Sequence, residues 1–368
     1  MTGMTQFVDQ WANKAIGTLQ PYQAGKPVEE LTRELGITDV IKLASNENPR
    51  GPGPAVHAAI ARAAQSLSRY PDGNGFRLKH ALARHLGVRA EQITLGNGSN
   101  DVLELIASVA LSPGCEGVVS AHAFVVYPLA VIAHGGKLVT VPAREWTHDL
   151  DAMARAVTSA TRIVFIANPN NPTGTWIGRS ELMRFLDRMP EHVVTVLDEA
   201  YFEYLRQPDY PNGIELLARY PNLVVTRTFS KIYGLAGMRV GYCVSHPSIA
   251  DLMNRVRQPF NVSSLALECA EAALGDRAFV DESRRINDEG MEQLRRGLDQ
   301  LGVGYIPSGG NFLCIDLRRA AAPIYDALLR LGVIVRPIAG YGMPNHLRIT
   351  VGLHEENARF LDALARVI

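Results

Sequence analysis

Short, almost unbroken apolar runs alternate along the chain with longer stretches where apolar residues recur every three or four positions. Five of the runs are GVVSA (117–121), KLVTVP (137–142), RIVFIA (162–167), VVTVLD (193–198) and NLVVTRT (222–228). β-Branched runs of this length without polar alternation predict strands covered on both faces, as in a parallel sheet. Helical periods lie between or beside them at 101–111, 123–134, 149–158 and 180–189. Strands and helices in alternation predict an α/β architecture with right-handed crossovers.

The last third has a different pattern. Helical stretches at 286–301, 322–332 and 355–367 are interleaved with strand-like NFLCIDL (311–317), GVIVRP (332–337) and HLRITVG (346–352). That predicts a smaller α+β domain, with Arg255 to Leu274 bridging it to the larger part. The first 45 residues, broken at Pro21 and at Gly25–Pro27, read as an arm. The expected division is an arm over 1–45 belonging with the small domain, a large domain over 46–260 and a small domain over 261–368.

Composition narrows the function classes. In 368 residues, 37 Lys plus Arg balance 37 Asp plus Glu, so there is no global basic field for nucleic acid. Any anion must be held by a few placed groups. Cys115, Cys243, Cys269 and Cys314 form no C-x-x-C pair and sit in apolar stretches. They read as free thiols of a cytoplasmic protein rather than a metal or redox motif. The N-terminal residues carry no apolar signal core, and no run approaches the length that spans a membrane.

Chemistry concentrates in four segments. SKIYGLAGMRVGY (230–242) sets Ser230 and Lys231 after a strand and Arg239 eight residues later among glycines. A lysine at the end of a buried strand has a lowered pKa, and its neutral amine can condense with an aldehyde. Arg239 offers a fork for phosphate. Taken alone, Lys231 reads first as a surface lysine in a glycine-rich turn, since lysines are mostly exposed. GNGSNDVLELI (96–106) places Ser99 and Asn100 at the opening of a helix, which suits either an anion or plain capping. ANPNNPTG (167–174) puts Asn168 in a rigid turn. VLDEAYFEY (196–204) puts Asp198 at the end of an apolar strand, with Tyr201 three residues on. A buried carboxylate needs a partner, such as a pyridinium N–H, unless it caps a helix.

In this order the motifs resemble the aspartate-aminotransferase superfamily of pyridoxal 5′-phosphate enzymes, and more narrowly the histidinol-phosphate aminotransferases. The resemblance runs from about Pro21 to Ile368 and rests on NPNNPTG, DEAYFEY, SKIYGLAGMRVGY and LRITVG. It implies the PLP-transferase fold, with Lys231 as the Schiff-base lysine and Asp198 as partner of the pyridine nitrogen. Asn168 and Tyr201 would face the phenolic oxygen. Ser99, Asn100, Ser230 and Arg239 would hold the phosphate, and Phe124 would stack on the ring. Tyr70 would reach the cofactor of a neighbouring subunit, which implies a homodimer.

Arg348, in the strand HLRITVG, wants an anionic partner, and Arg336 is a second candidate; either one also reads as half of a salt bridge at a domain edge. The resemblance makes Arg348 the grip on the substrate's acidic end and places Asn46 and Tyr22 near the substrate. Bare residue reading leaves Asn46 as an Asx-turn and Tyr22 as arm packing. The implied reaction is transamination between L-histidinol phosphate and 2-oxoglutarate, a step of histidine biosynthesis. An aromatic-amino-acid aminotransferase and a related PLP decarboxylase share the cofactor motifs.

Overall fold

The computed structural model describes residues 11–12, 15–19, 21 and 25–368. In chain order its strands are β1 (Ile41–Lys42), β2 (Ile93–Gly96), β3 (Glu116–Ser120), β4 (Lys137–Val141), β5 (Thr161–Ala167), β6 (Val194–Asp198), β7 (Leu223–Thr228), β8 (Gly241–Val244), β9 (Gly304–Ile306), β10 (Phe312–Asp316), β11 (Val333–Ile334), β12 (Arg336–Pro337) and β13 (His346–Thr350). Seven of them form one sheet in the order β2-β8-β7-β6-β5-β3-β4. The five apolar runs are its five mutually parallel strands, β3 to β7. β8 runs antiparallel to both β7 and β2. Apolar clusters cover both faces, one built around Val164, Leu197 and Val225 and the other around Phe165, Val196 and Val224. Adjacent residues of each strand point to opposite clusters, as the two-residue period of a strand requires.

A second sheet has the order β12-β13-β10-β9, all antiparallel, and β1 pairs in parallel with β11. The run at 332–337 therefore serves two sheets: Val333–Ile334 joins β1, and Arg336–Pro337 joins β13. The helix Val28–Leu35 buries Leu31 against Ala44, Leu329 and Ile334. The helix expected over 286–301 starts earlier, at Arg277, where Asp276 caps it by accepting from Phe279 N. Its buried stripe includes Ser283 and Asn287, so its first turns carry no apolar period. Among the described residues no helix is long and apolar enough to cross a membrane.

Candidate active site

Parallel strands deliver the site at their carboxyl ends, where open α/β sheets place ligands. β6 ends at Asp198, β5 ends one residue before Asn168, and β7 ends three residues before Lys231. A cavity of about 200 Å³ lies there, lined by Asn46, Ser99, Asn100, Phe124, Asp198, Tyr201, Ser230, Lys231, Arg239, Arg336 and Arg348 among others. Residues as far apart in the sequence as Asn46 and Arg348 thus share one cavity.

One part of the cavity is built for an oxyanion. Gly98, with φ +81°, is the N-cap of the helix Ser99–Ala110, and neither Ser99 nor Asn100 caps it with a side chain. The Arg239 guanidinium packs on Gly98 so closely that a Cβ there would overlap it. Arg239 Nη1 donates to Ser230 Oγ at 3.2 Å and to the Ala236 carbonyl at 3.0 Å. Free N–H groups at a helix start, a hydroxyl and a guanidinium together suit a phosphate.

Asp198 is 5% exposed and does not cap a helix. Its Oδ2 accepts from the Tyr127 phenol at 2.8 Å, while Oδ1 is buried with no hydrogen-bond partner among the described residues. Burial raises the Asp198 pKa, and the Tyr127 hydrogen bond and the charge of Lys231 act against it. Lys231 Nζ donates to the Ser45 carbonyl at 3.3 Å and lies 5.7 Å from the centre of the Tyr201 ring. Burial, followed by the nearby charge of Arg348, pushes its pKa down to about 8. Near neutral pH this amine is close to its own titration point, which suits a nucleophile and proton carrier. Tyr201 accepts from Asn46 Nδ2 at 2.8 Å, and burial pushes its phenol up to about 12.

Arg348 is 6% exposed; Nη1 donates to Asn171 Oδ1 at 2.5 Å and Nη2 to the Ala44 carbonyl at 2.6 Å. It stands opposite Arg336 in the β12–β13 register, which makes a second cationic group separate from Arg239. Asn168 stands apart from the other expected residues: its side chain closes on the Ile177 backbone, at 3.1 and 2.9 Å. Tyr70 is 83% exposed and stacks on Phe260 with ring centres 4.7 Å apart, away from this chain's cavity. Tyr22 lies outside the described residues. Sequence reasoning missed Tyr127, Asn171, Thr228 and Tyr341, all of which line the cavity. Asn171 could have been found beside Asn168 in the same motif; Tyr127 carried no signal, because a tyrosine in an apolar helix reads as core.

The family profile "Aminotransferase class I and II" matches residues 38–364. Histidinol-phosphate aminotransferase 2 of Pseudomonas fluorescens (strain Pf0-1) is 57% identical over 359 residues, covering 97% of each chain. Its namesake from Pseudomonas aeruginosa is 56% identical over the same length and coverage. The chain belongs to the histidinol-phosphate aminotransferase family. The crystal structure of the Sinorhizobium meliloti member, in complex with pyridoxal 5′-phosphate, superposes with a TM-score of 0.90 at 32% identity over 97% of both chains. As in other class I and II aminotransferases, the cofactor is pyridoxal 5′-phosphate. The cavity fits it: an orphaned carboxylate oxygen for a ring N–H, an amine of lowered pKa for the aldehyde, and a cradle for the phosphate.

Proposed function

We propose that this chain transfers an amino group between L-histidinol phosphate and 2-oxoglutarate, forming imidazole-acetol phosphate and L-glutamate, as a step of histidine biosynthesis. The observation that carries the reading is the pairing of two cationic groups in one cavity with Lys231 and Asp198: Arg239 with Ser230, and Arg336 with Arg348. One group serves the cofactor phosphate. The other, Arg336 with Arg348, would take the phosphate of one substrate and the distal carboxylate of the other, since a guanidinium fork accepts either anion.

Pyridoxal phosphate, when bound, supplies an aldehyde that condenses with amines and a ring that spreads negative charge. Asp198 Oδ1 would accept the ring N–H, while Tyr127 holds that carboxylate in place through Oδ2. Lys231 Nζ would hold the aldehyde and, as a neutral amine, would be the base that carries the proton of the substrate Cα. Phe124 would cover one ring face, and Ser99, Asn100, Ser230 and Arg239 would hold the phosphate. Tyr201 and Asn46, hydrogen-bonded to each other, would face the phenolic oxygen, and Asn168 bonds the Ile177 backbone just past the end of β5. Arg348, with Arg336 beside it in the β12–β13 register, would grip the substrate anion. Tyr70, exposed on this chain, completes the neighbouring subunit's site in a homodimer. The four free cysteines suit the reducing cytoplasm.

The test is a comparison of kcat/KM for L-histidinol phosphate and L-phenylalanine, each with 2-oxoglutarate. Preference for histidinol phosphate is expected; preference for phenylalanine would replace this reading with an aromatic-amino-acid aminotransferase.

A further inference from the structure

Among the described residues seven non-glycine positions have positive φ. Asn46 and Arg239 line the cavity. Three others, His122 (φ 58°), Glu145 (φ 48°) and Trp146 (φ 65°), converge on one place beside it. Left-handed backbone at residues with a Cβ is held only where the surroundings impose it, and it concentrates at functional sites.

Arg144 and Thr147 exchange two backbone hydrogen bonds of 2.9 Å, closing a turn with Glu145 and Trp146 at its centre. Turns with two left-handed residues ordinarily use Asn-Gly; here the turn presents an indole instead. Its backbone is tied down by Thr175, whose hydroxyl donates to the Trp146 carbonyl at 3.0 Å. The indole packs between two imidazoles, 5.2 Å from His122 and 5.0 Å from His346. His346 opens β13, two residues before Arg348. His122 lies two residues before Phe124, and its Nδ1 donates to the Tyr341 carbonyl at 2.5 Å. Tyr341 in turn lines the cavity with Arg336 and Arg348. The column therefore joins the loop that carries the ring-stacking Phe124 to the segment that walls the substrate side.

We propose that Trp146 and His122 form a clasp that positions Tyr341, and that Tyr341 is the wall against which the ring of the larger amino donor is selected. The inference rests on the transamination read above, in which one site serves a ring-bearing donor and glutamate by turns. Glutamate is short and linear and needs only its amine site and the Arg348 fork. A ring-bearing donor must also lay a flat apolar face against something, and a phenol offers both that face and a hydroxyl for a ring nitrogen. Loss of the clasp thus affects one donor and spares the other.

The experiment follows each half-reaction of the holoenzyme by cofactor absorbance, with L-histidinol phosphate and with L-glutamate, in Trp146→Ala, His122→Ala and Tyr341→Ala. Misplacing a positioning wall should lower kcat/KM for histidinol phosphate by ~10- to 100-fold, mainly through KM, with glutamate changed by no more than about twofold. Trp146→Phe, which keeps a flat ring in the column, should restore most of the loss. Equal loss with both donors, or none with either, would overturn the clasp. If Trp146→Ala does not fold, His122→Ala carries the test, since it removes the Tyr341 hydrogen bond and one of the indole's two imidazole contacts while keeping the indole. Should the wild-type protein prefer phenylalanine, the histidinol-phosphate reading fails, and the clasp is judged on phenylalanine against glutamate by the same split.

Discussion

The Tyr127 phenol holds one oxygen of Asp198 at 2.8 Å, and the other is buried with no hydrogen-bond partner among the described residues. That asymmetry aims the carboxylate: the bonded oxygen fixes the side chain, and the second waits for a donor from the ligand. Replacing Asp198 with Ala should lower the rate of both half-reactions by on the order of 10²- to 10³-fold or more, with the melting temperature nearly kept. Tyr127→Phe should be milder, at about tenfold, because one hydrogen bond to a buried charge is lost while the acceptor stays. Stopped-flow half-reactions with glutamate measure both. An Asp198→Ala protein at wild-type rate would remove this residue from the mechanism.

Lys231 makes a pH-dependent prediction. An amine attacks an aldehyde only when neutral. With its pKa pushed down to about 8 by burial and then by Arg348, the rate of cofactor reloading into apoprotein should rise with pH and bend near 8. Arg348→Met removes the second of these causes, so the bend should move up, toward the ordinary lysine range near 10.5. A bend that starts near 10.5 in the wild-type protein, or that ignores Arg348, would show that the cavity does not tune this amine.

How much of this was legible beforehand depended on whether a feature is local in the chain. Lys231, Arg239 and Asp198 stand in contiguous motifs at the ends of apolar runs, so both their strands and their chemistry could be read together. β2 and β8 could not: each is four residues long and carries a glycine of the phosphate loops at one end, Gly96 and Gly241. Gly241 is there because its backbone packs against Ser99, a tertiary reason invisible to a propensity argument. The turn at Glu145–Trp146 has no turn residues at all, and what holds it is the Arg144–Thr147 backbone pair and the Thr175 hydroxyl on the Trp146 carbonyl. Asn168 is the opposite case, a motif residue singled out for its chemistry whose side chain the fold spends on the Ile177 backbone.

Beneath the site, Glu199 and Arg227 form a buried ion pair, with side chains 0% and 5% exposed. Glu199 Oε2 accepts from Arg227 Nε at 2.9 Å and Nη2 at 2.7 Å, and Oε1 accepts from Gly213 N at 2.7 Å. The guanidinium also lies 3.5 Å over the Phe202 ring. Strand alternation puts this pair on the face opposite Asp198, tying the ends of β6 and β7 together. Glu199→Ala leaves an uncompensated buried cation and should cost about 3–5 kcal/mol of stability, whereas the double change Glu199→Leu with Arg227→Met should recover most of it. Urea denaturation of the two variants decides the matter. A single variant within about 1 kcal/mol of wild type would mean that water reaches the pair.

His148 sets an acid limit. It is 2% exposed, with Nε2 at 3.0 Å from the Ala167 carbonyl oxygen and 3.2 Å from the Ala167 nitrogen, directly before Asn168. Burial pushes its pKa from 6.5 down to about 4. The folded pKa is thus below the unfolded one, so between pH 6.5 and 4 the unfolded chain binds a proton that the folded chain refuses. The contribution is fully present above 6.5 and is lost as pH falls toward 4, by on the order of 3 kcal/mol in all and about 2 kcal/mol by pH 5. His148→Gln removes the titration without removing the side chain's hydrogen-bonding capacity. It should be somewhat less stable than wild type at pH 7.5 and should lose about 2 kcal/mol less between pH 7.5 and 5. Urea unfolding at the two pH values measures the difference, and equal losses in the two proteins would mean that the imidazole is protonated in the folded state.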